Sequence, residues 1–264
     1  MMTSSFLVAA RSVTGLVRSG NEDSAFVSSN LLAVADGMGG HAGGEVASAL
    51  AIRIMGQLAP TLQSLDLDPD SLEDLLLSSL EQVNEEINRV VGEDEDLTGM
   101  GTTLSALALY ESEGVVKAAM LHVGDSRCYR LRGNTLLQLS RDDTVFQELL
   151  DKGKVTPEEA AEHPQKSFLT QALMGESEIT PILAIYEIQD RDRFLICSDG
   201  LYGYVSDKLI KEGLKTHETN EALTFLIDAA LAAGAPDNVT VVIADLTKGD
   251  GKQKDTYLGA AHDE

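Results

Sequence analysis

Cysteine is scarce in this sequence, where Cys128 and Cys197 are the only two among 264 residues. Neither has the close spacing to another cysteine or to a histidine that zinc sites and disulfide frameworks need. Each lies in an apolar stretch typical of a strand, so we expect two buried free thiols. Free thiols are typical of a reducing compartment, and we expect the protein to act in the cytoplasm.

Basic residues are also few, since 20 Lys and Arg stand against 43 Asp and Glu, and the net charge is −23. This excess of negative charge argues against non-specific binding of nucleic acid and against docking on an anionic membrane. Most of the acids are expected to lie on a solvated surface. Several, however, follow apolar runs, where a carboxylate without a partner is costly.

Long apolar runs are absent: no stretch approaches the roughly 18 residues of a membrane span. Residues 1–12 have no basic flank before a long apolar stretch, so we do not expect a signal peptide. No internal repeat and no Pro- or Ser-rich linker divides the chain. We therefore expect one catalytic domain over residues 5–246, followed by a charged, loose tail over 247–264.

Strand-like segments alternate with turn signals and are interrupted by helical patterns. Strands are predicted at residues 30–35, 103–110, 115–123, 127–131, 136–139, 182–188, 193–197 and 239–245. Helices are predicted at residues 44–58, 71–91, 207–215 and 221–233. Helix pairs between blocks of antiparallel strands indicate an α+β fold, a four-layer α-β-β-α sandwich of two sheets. The polar stretch near 140–176 has no clear strand and is predicted to be an excursion, a flap over the site.

Four aspartates fall at predicted strand ends: Asp36, Asp125, Asp199 and Asp237. Asp-Gly is common in β-turns, and one such pair alone would favour that interpretation. The pattern recurs, however, and Gly37 is expected to allow a tight turn that exposes its carbonyl as a further ligand. Four carboxylates at strand ends suit a hard cation bound by oxygen, and no Cys or His cluster competes for a softer metal.

Closely spaced divalent ions can bridge phosphate oxygens and lower the pKa of a shared water. A structural calcium site is the rival interpretation, but the sequence has no EF-hand loop. The pattern therefore favours hydrolysis of phosphate monoesters.

A phosphate also needs a cationic partner, and Arg18 precedes Glu22 and Asp23. A guanidinium binds two phosphate oxygens in a fixed fork. A lone arginine is usually a surface residue, so the two neighbouring acids carry the argument. His41 either donates a proton to the leaving alkoxide or caps the helix that follows, and the sequence leaves both open.

Six motifs in order resemble the metal-dependent, type 2C (PPM) family of Ser/Thr protein phosphatases, in its compact bacterial form. The resemblance runs from about Ser12 to Asp245. The motifs are Gly15-Leu16-Val17-Arg18 with Asn21-Glu22-Asp23, Asp36-Gly37-Met38-Gly39-Gly40-His41, Gly99-Met100-Gly101-Thr102-Thr103, Val123-Gly124-Asp125-Ser126-Arg127, Ser198-Asp199-Gly200-Leu201 and Asp237-Asn238-Val239-Thr240.

The resemblance implies a site for two Mn²⁺ or Mg²⁺ ions. Asp36 would bridge them, Asp199 and Asp237 would complete one site, and the Gly37 carbonyl would complete the other. A water between the metals would attack phosphorus in line without a phosphoenzyme.

Further roles follow from the same resemblance. Glu22 or Asp23 would contact the second metal through water, and Asp125 with Asp199 would hold a third, weaker ion. Arg18 would bind phosphate. Phosphorylated proteins would be the substrates, a cognate bacterial Ser/Thr kinase would be opposed, and the enzyme would act as a monomer.

The sequence departs from the family pattern at three places. Ser12-Val13-Thr14-Gly15 lacks the usual aspartate, Asp142-Asp143 replaces Asp-His, and Gln171 replaces an arginine of the flap. No proposed metal ligand is affected, so the departures bear on substrate preference. His163 matches the flap pattern, and both an approach to substrate and a surface turn stay open.

Two other functions compete with a protein phosphatase. A non-catalytic binding domain would be expected to lack Asp36 or Asp237, and both are present. A phosphatase of small molecules would have a deep, closed pocket, whereas a phosphoprotein needs a shallow cleft.

Overall fold

The computed structural model describes residues 4–40, 42–64, 67–156, 168–175, 178–216, 218–249, 251 and 253–262. Two antiparallel sheets dominate this part of the chain. The five-stranded sheet has, in spatial order, β1 (Ser4–Val13), β11 (Val239–Lys248), β10 (Arg193–Cys197), β7 (Arg127–Arg132) and β8 (Thr135–Gln138). The second sheet is built from β12 (Thr256–Gly259), β2 (Asp23–Val27), β3 (Leu31–Met38), β5 (Leu104–Ser112), β6 (Val115–Val123) and β9 (Ile182–Glu187), and β4 (Gly101–Thr102) pairs with the end of β3.

Helices cover the outer faces of both sheets, and one more helix lies in the predicted excursion near residues 140–176. In chain order they are α1 (Gly43–Gly56), α2 (Ala59–Ser64), α3 (Pro69–Glu93), α4 (Val145–Asp151), α5 (Asp199–Tyr202), α6 (Asp207–Thr216) and α7 (Thr219–Ala232). The start of α3 is set locally, because Asp68 accepts a hydrogen bond from Ser71 N at 3.0 Å and Pro69 follows it. Its buried residues recur at helical spacing, as predicted from the sequence: Leu72, Leu76, Leu80, Val83 and Ile87.

Three hydrophobic cores define four layers. One core lies between α1, α3 and the larger sheet, and another lies between α6, α7 and the five-stranded sheet. The third joins the inner faces of the two sheets, where Phe6 meets Phe194 edge-to-face at 6.0 Å between ring centroids. The predicted α-β-β-α sandwich is confirmed.

The C-terminal segment corrects one expectation. Residues 247–264 were expected to be a loose tail, but Thr256–Gly259 form the edge strand β12 against β2. The Tyr257 ring packs on Phe26 at 4.9 Å between centroids. Four residues among charged neighbours give too short a pattern to predict a strand, and long-range pairing supplies the stability. The extent of the catalytic domain over 5–246 stays a prediction.

The described parts of the predicted excursion near 140–176, residues 140–156 and 168–175, depart from the sheets, as expected. Its described part contains α4, capped by Thr144, whose Oγ1 accepts a hydrogen bond from Gln147 N at 3.1 Å. Residues 168–175 then run back toward the larger sheet, where Leu173 pairs with Thr102. Within the described ranges, no helix is both long and apolar enough to cross a membrane.

Candidate active site

One cleft of about 750 Å³ collects the strand-end aspartates from both sheets. Asp36 lies near the end of β3, Asp125 follows β6, Asp199 follows β10 and Asp237 precedes β11. Arg18, Glu22 and Gly37 line the same cleft. Sequence positions more than 200 residues apart therefore meet at one place, as the motifs predicted.

Gly37 does not make the tight turn that was expected. It lies within β3 and pairs with Thr102 of β4, so the strand continues past Asp36 to Met38. Glycine is needed for close packing instead, because a Cβ at this position would lie 2.0 Å from Gly44 O and 2.5 Å from Glu22 O. The absence of a side chain lets the start of α1 and the segment carrying Glu22 approach the Asp36 strand.

Thr103 positions the backbone of Asp36. Its Oγ1 accepts a hydrogen bond from Asp36 N at 3.0 Å, and its own N–H donates to Asp36 O at 2.9 Å. The same hydroxyl lies 2.7 Å from Ser126 Oγ, in the loop that carries Asp125. Thr103 also lines the cleft, and its place in the Gly99–Thr103 motif was the signal by which sequence reasoning could have assigned it a role.

Asn238 positions the loop that carries Arg18 and Glu22. Its Oδ1 accepts from Glu22 N at 2.8 Å, and its Nδ2 donates to Thr14 O at 3.0 Å and Gly20 O at 2.9 Å. Because Asn238 is buried beside Asp237, one dipeptide supplies a cleft carboxylate and fixes the loop opposite it. Sequence analysis quoted Asn238 in a motif but gave it no role.

Asp23 lies beneath the cleft rather than on it. Its side chain is 1% exposed and accepts a hydrogen bond from Ser198 Oγ at 2.7 Å. Burial raises the pKa of Asp23 to about 7 in spite of that bond. Of the two acids proposed to contact a metal, the geometry therefore favours Glu22, which lines the cleft.

A partly buried arginine network supports Asp125. The Arg127 guanidinium binds Asp142, with Nη2 at 2.6 Å from Oδ2, and stacks 3.7 Å from the Tyr202 ring centroid. Tyr202 in turn donates its hydroxyl to Asp125 O at 2.9 Å. Sequence reasoning noted Asp142 only as a departure from the family pattern, whereas the structure shows it as the partner of Arg127.

Desolvation by burial dominates the electrostatics of the cleft, and repulsion between neighbouring carboxylates adds to it. Asp36 keeps some exposure, yet the surrounding protein desolvates its carboxylate and neighbouring Asp23, Asp199 and Asp125 repel its charge, so its pKa lies well above the usual range. Burial and then Asp199 raise the pKa of Asp125 to about 7, and burial and then Asp237 raise that of Asp199 to about 6. A site that resists ionisation in this way favours a bound cation.

The side chains that line the cleft suit hard metal ions that bind oxygen. Six carboxylates line the cleft, and Arg18 is the one Lys or Arg among its described lining residues. In the described part of the chain, no group of three or more His, Cys, Asp or Glu side chains is placed so that it could hold a metal ion by itself. Mg²⁺ and similar hard ions usually take one or two carboxylates and keep several waters, so an open ring of carboxylates fits them.

Two predicted site residues, His41 and His163, lie outside the described residues. Other residues of the cleft were missed by sequence reasoning. They are Met38, Gly39, Phe168, Leu169, Thr170, Ala172, Met174, Glu178 and Ile179. Met38 and Gly39 stand in the motif of Asp36, and the others come from residues 168–174 and 178–179, at the end of the predicted flap and just beyond it. The flap was expected over the site, but none of these residues was assigned a role.

The sequence model of the family described as protein phosphatase 2C matches residues 19–240. The chain belongs to this family, and the resemblance stated from the motifs is confirmed. The serine/threonine protein phosphatase PstP of Mycobacterium tuberculosis is 45% identical over 257 residues, which is 96% of this chain and 47% of that protein. This chain therefore spans about half the length of that curated relative. The serine/threonine phosphatase stp of Listeria monocytogenes is 36% identical over 90% of this chain and 96% of its own length.

Solved structures agree with the family assignment. The crystal structure of the M. tuberculosis phosphatase PstP/Ppp has a TM-score of 0.84 at 46% identity, covering 91% of this chain and 98% of that one. The catalytic domain of PstP, solved in complex with two manganese ions, has a TM-score of 0.83 at 43% identity, covering 93% of this chain and 100% of that one.

Proposed function

We propose that this chain is a metal-dependent phosphoprotein phosphatase that hydrolyses phosphoserine and phosphothreonine. The observation that carries the proposal is the convergence of six carboxylates and Arg18 on one cleft. The names of the relatives and the two manganese ions of the PstP structure support it.

The cleft residues suit two ions of Mn²⁺ or Mg²⁺. Asp36 would be shared by both, Asp199 and Asp237 would hold one, and the Gly37 carbonyl would hold the other, with Glu22 acting through water. Asp125 and Asp199 would hold a third, weaker ion. When bound, such ions would supply positive charge to the phosphate oxygens and would lower the pKa of a water, which would be the nucleophile toward phosphorus, in line and without a phosphoenzyme.

The residues of this chain would contribute binding and orientation. The Arg18 guanidinium would bind two phosphate oxygens in a fork. Thr103 and Asn238 hold the backbone of Asp36 and of Glu22, so the reacting groups keep their positions during turnover. His41 remains a candidate proton donor to the leaving alkoxide.

The shape of the cleft favours phosphoproteins over small metabolites. The Arg18 side chain is 50% exposed and Phe168 on the same cleft is 55% exposed, so the cleft is open to solvent rather than closed. A phosphorylated side chain on a protein surface can enter such a cleft, whereas a small-molecule site usually buries most of its ligand.

The biological setting follows as part of the same proposal. We place the enzyme in the cytoplasm, acting as a monomer and opposing a Ser/Thr kinase in bacterial signalling. The thiols of Cys128 and Cys197 support a reducing compartment, because both are free, buried, and lie in cores on opposite faces of the five-stranded sheet.

A substrate panel tests the proposal. Purified protein with Mn²⁺ should release phosphate from phosphoserine and phosphothreonine peptides and from an aryl phosphate, and a chelator should stop all three reactions. Inactivity of the wild type with every divalent cation would overturn the proposal. A preference for phosphotyrosine peptides alone would overturn the Ser/Thr assignment.

A further inference from the structure

Exposed apolar side chains occur where residues 168–175 and 178–179 border the cleft. Phe168 is 55% exposed and Met174 is 41% exposed, and both line the cleft together with Ile179. We call these three residues the apolar wall. Single exposed apolar residues need no explanation, but a set of them along a functional cleft is typical of a binding surface.

The backbone on either side of Phe168 and Met174 is fixed in place. Hydrogen bonds tie both ends of residues 168–175 to other parts of the fold. These bonds join Val145 N to Phe168 O at 2.9 Å, Thr102 to Leu173 in both directions at 2.9 Å, and Gly175 N to Asn84 Oδ1 at 2.7 Å. A binding surface held in this way loses little conformational entropy when a ligand binds.

Gly101 adds a steric constraint on Met174. A Cβ on Gly101 would lie 2.8 Å from Met174 Cγ and 3.0 Å from Leu173 O. The Met174 side chain is therefore packed over β4 on one side and exposed to the cleft on the other. Methionine in this position can adapt to apolar groups of different shape.

The charges along the cleft restrict what can bind beside the phosphate. Glu22, Glu178 and Asp237 line it, and the whole chain has a net charge of −23. Acidic residues next to a phosphorylated side chain would meet these carboxylates and be repelled. Apolar residues would meet the apolar wall instead.

We propose that Phe168, Met174 and Ile179 bind an apolar side chain of the substrate that is close in sequence to the phosphorylated residue. The occupant is an extended phosphopeptide segment, because the apolar wall is continuous with the carboxylates and Arg18 in a cleft of about 750 Å³. That volume is of the order that holds a ligand much larger than one phosphothreonine side chain. The inference rests on the proposed function, and it makes the apolar wall a determinant of substrate choice.

The test uses one phosphothreonine peptide in which a leucine is moved through the three positions on each side, with glycine and glutamate at the same positions. The readout is the ratio of kcat/KM for the best leucine peptide to that for its glycine counterpart. For the wild type we expect a ratio of about ten, and a lower kcat/KM for glutamate than for glycine. Burial of part of a leucine side chain accounts for that size.

Two variants and one control assign the preference to the apolar wall. Met174→Gln and Phe168→Ser should each reduce the ratio to about two. Leu137→Gln, at a position on β8 that is 46% exposed and absent from the cleft lining, should leave it at about ten. A variant that disturbs only the metal site would change kcat/KM for the leucine peptide and for the glycine peptide by the same factor, and it would leave their ratio unaltered.

The outcomes separate this inference from the proposed function. A wild-type ratio near one, or a ratio that survives in both variants, overturns the role of the apolar wall while hydrolysis of an aryl phosphate still supports a phosphatase. Loss of all phosphate release by the wild type with Mn²⁺ overturns the proposed function itself.

Discussion

Arg18 and Asp237 form a bidentate ion pair: Nε of Arg18 lies 2.8 Å from Oδ1 of Asp237, and Nη2 lies 2.9 Å from Oδ2. The same fork would bind two oxygens of a phosphate, and the same carboxylate would bind a metal. The two residues thus hold each other in the cleft. A phosphate that binds Arg18, or a cation that binds Asp237, would compete with this ion pair. Binding of a cation at Asp237 should therefore favour binding of phosphate at Arg18.

The fork geometry of Arg18 gives a first prediction. Arg18→Lys keeps the charge but cannot form two parallel bonds, so KM for a phosphopeptide should rise about tenfold, and Arg18→Ala should raise it further. kcat should change less than KM. Steady-state kinetics in saturating Mn²⁺ would measure both.

A surface arginine provides the control for Arg18. Arg89→Ala removes a guanidinium from α3 that is paired with Glu86 and Glu93, away from the cleft, and should leave both constants unchanged. An unaltered KM in Arg18→Ala would remove Arg18 from the phosphate site.

The raised pKa values of three carboxylates at the site predict how the stability of the protein depends on pH. The pKa values of Asp23 and Asp125 are raised to about 7 and that of Asp199 to about 6, whereas such groups ionise at about 3.9 in an unfolded chain. Between about pH 4 and about pH 7, the folded protein therefore binds more protons than the unfolded chain does. Their stabilising contribution is complete below about pH 4 and is lost as the pH rises to about 7.

Thermal unfolding in a chelator would measure this dependence. Asp125→Asn should flatten the fall in Tm between pH 5 and pH 8, and Glu73→Gln, at an exposed position on α3, should not. Addition of Mn²⁺ at pH 8 should raise Tm, because the ion binds only the folded state. If Tm falls with pH equally steeply in Asp125→Asn and in the wild type, the pKa of Asp125 is not raised in the cleft.

The Arg127 network predicts a large loss of stability on truncation. Arg127→Met leaves the Asp142 carboxylate, whose side chain is 8% exposed, without its cationic partner. Removal of one partner of a buried ion pair costs about 3 kcal/mol or more. Urea unfolding would measure this cost.

A double variant separates the charge effect from lost packing. In Arg127→Met with Asp142→Asn, no carboxylate is left without a partner, so a large part of the stability should return. If the double variant is as unstable as the sum of the two single variants, the ion pair is not the cause.

The edge strand β12 predicts that the C-terminal segment contributes to the fold. Tyr257→Ala removes a ring that packs on Phe26 and should lower the free energy of unfolding by about 1–2 kcal/mol. Lys254→Ala, just outside the strand, is the matched control and should have little effect. Equal stability of Tyr257→Ala and the wild type would restore the interpretation of this segment as a loose tail.

The sheet layers were predictable because apolar strands and amphipathic helices carry strong local patterns. The strands Val115–Val123 and Arg193–Cys197 were predicted with the bounds that the structure has. β1 and β2 were missed. Asp23–Val27 is five residues long and fully buried, with Asp23 and Ser24 inside it, so neither length nor alternation marks it as a strand.

The four aspartates of the cleft were predictable for a similar reason, since each lies at or next to the end of an apolar strand. The roles of Gly37, Asp23 and the apolar wall were not, because they depend on contacts between distant segments. Gly37 is needed because a side chain there would collide with Gly44 O and Glu22 O. Asp23 lies beneath the cleft, where its carboxylate accepts a hydrogen bond from Ser198. No sequence pattern placed Phe168 and Met174 next to Asp36, because that proximity depends on tertiary packing.

The central claim is that catalysis depends on cations held at Asp36. The most direct measurement is release of phosphate from a phosphothreonine peptide by the wild type and by Asp36→Asn, side by side in Mn²⁺. We predict turnover by the wild type and none by the variant, which should be at least as stable as the wild type in a chelator because a repelled charge is removed. Equal turnover by the folded variant, or turnover by the wild type in a chelator, would contradict the claim.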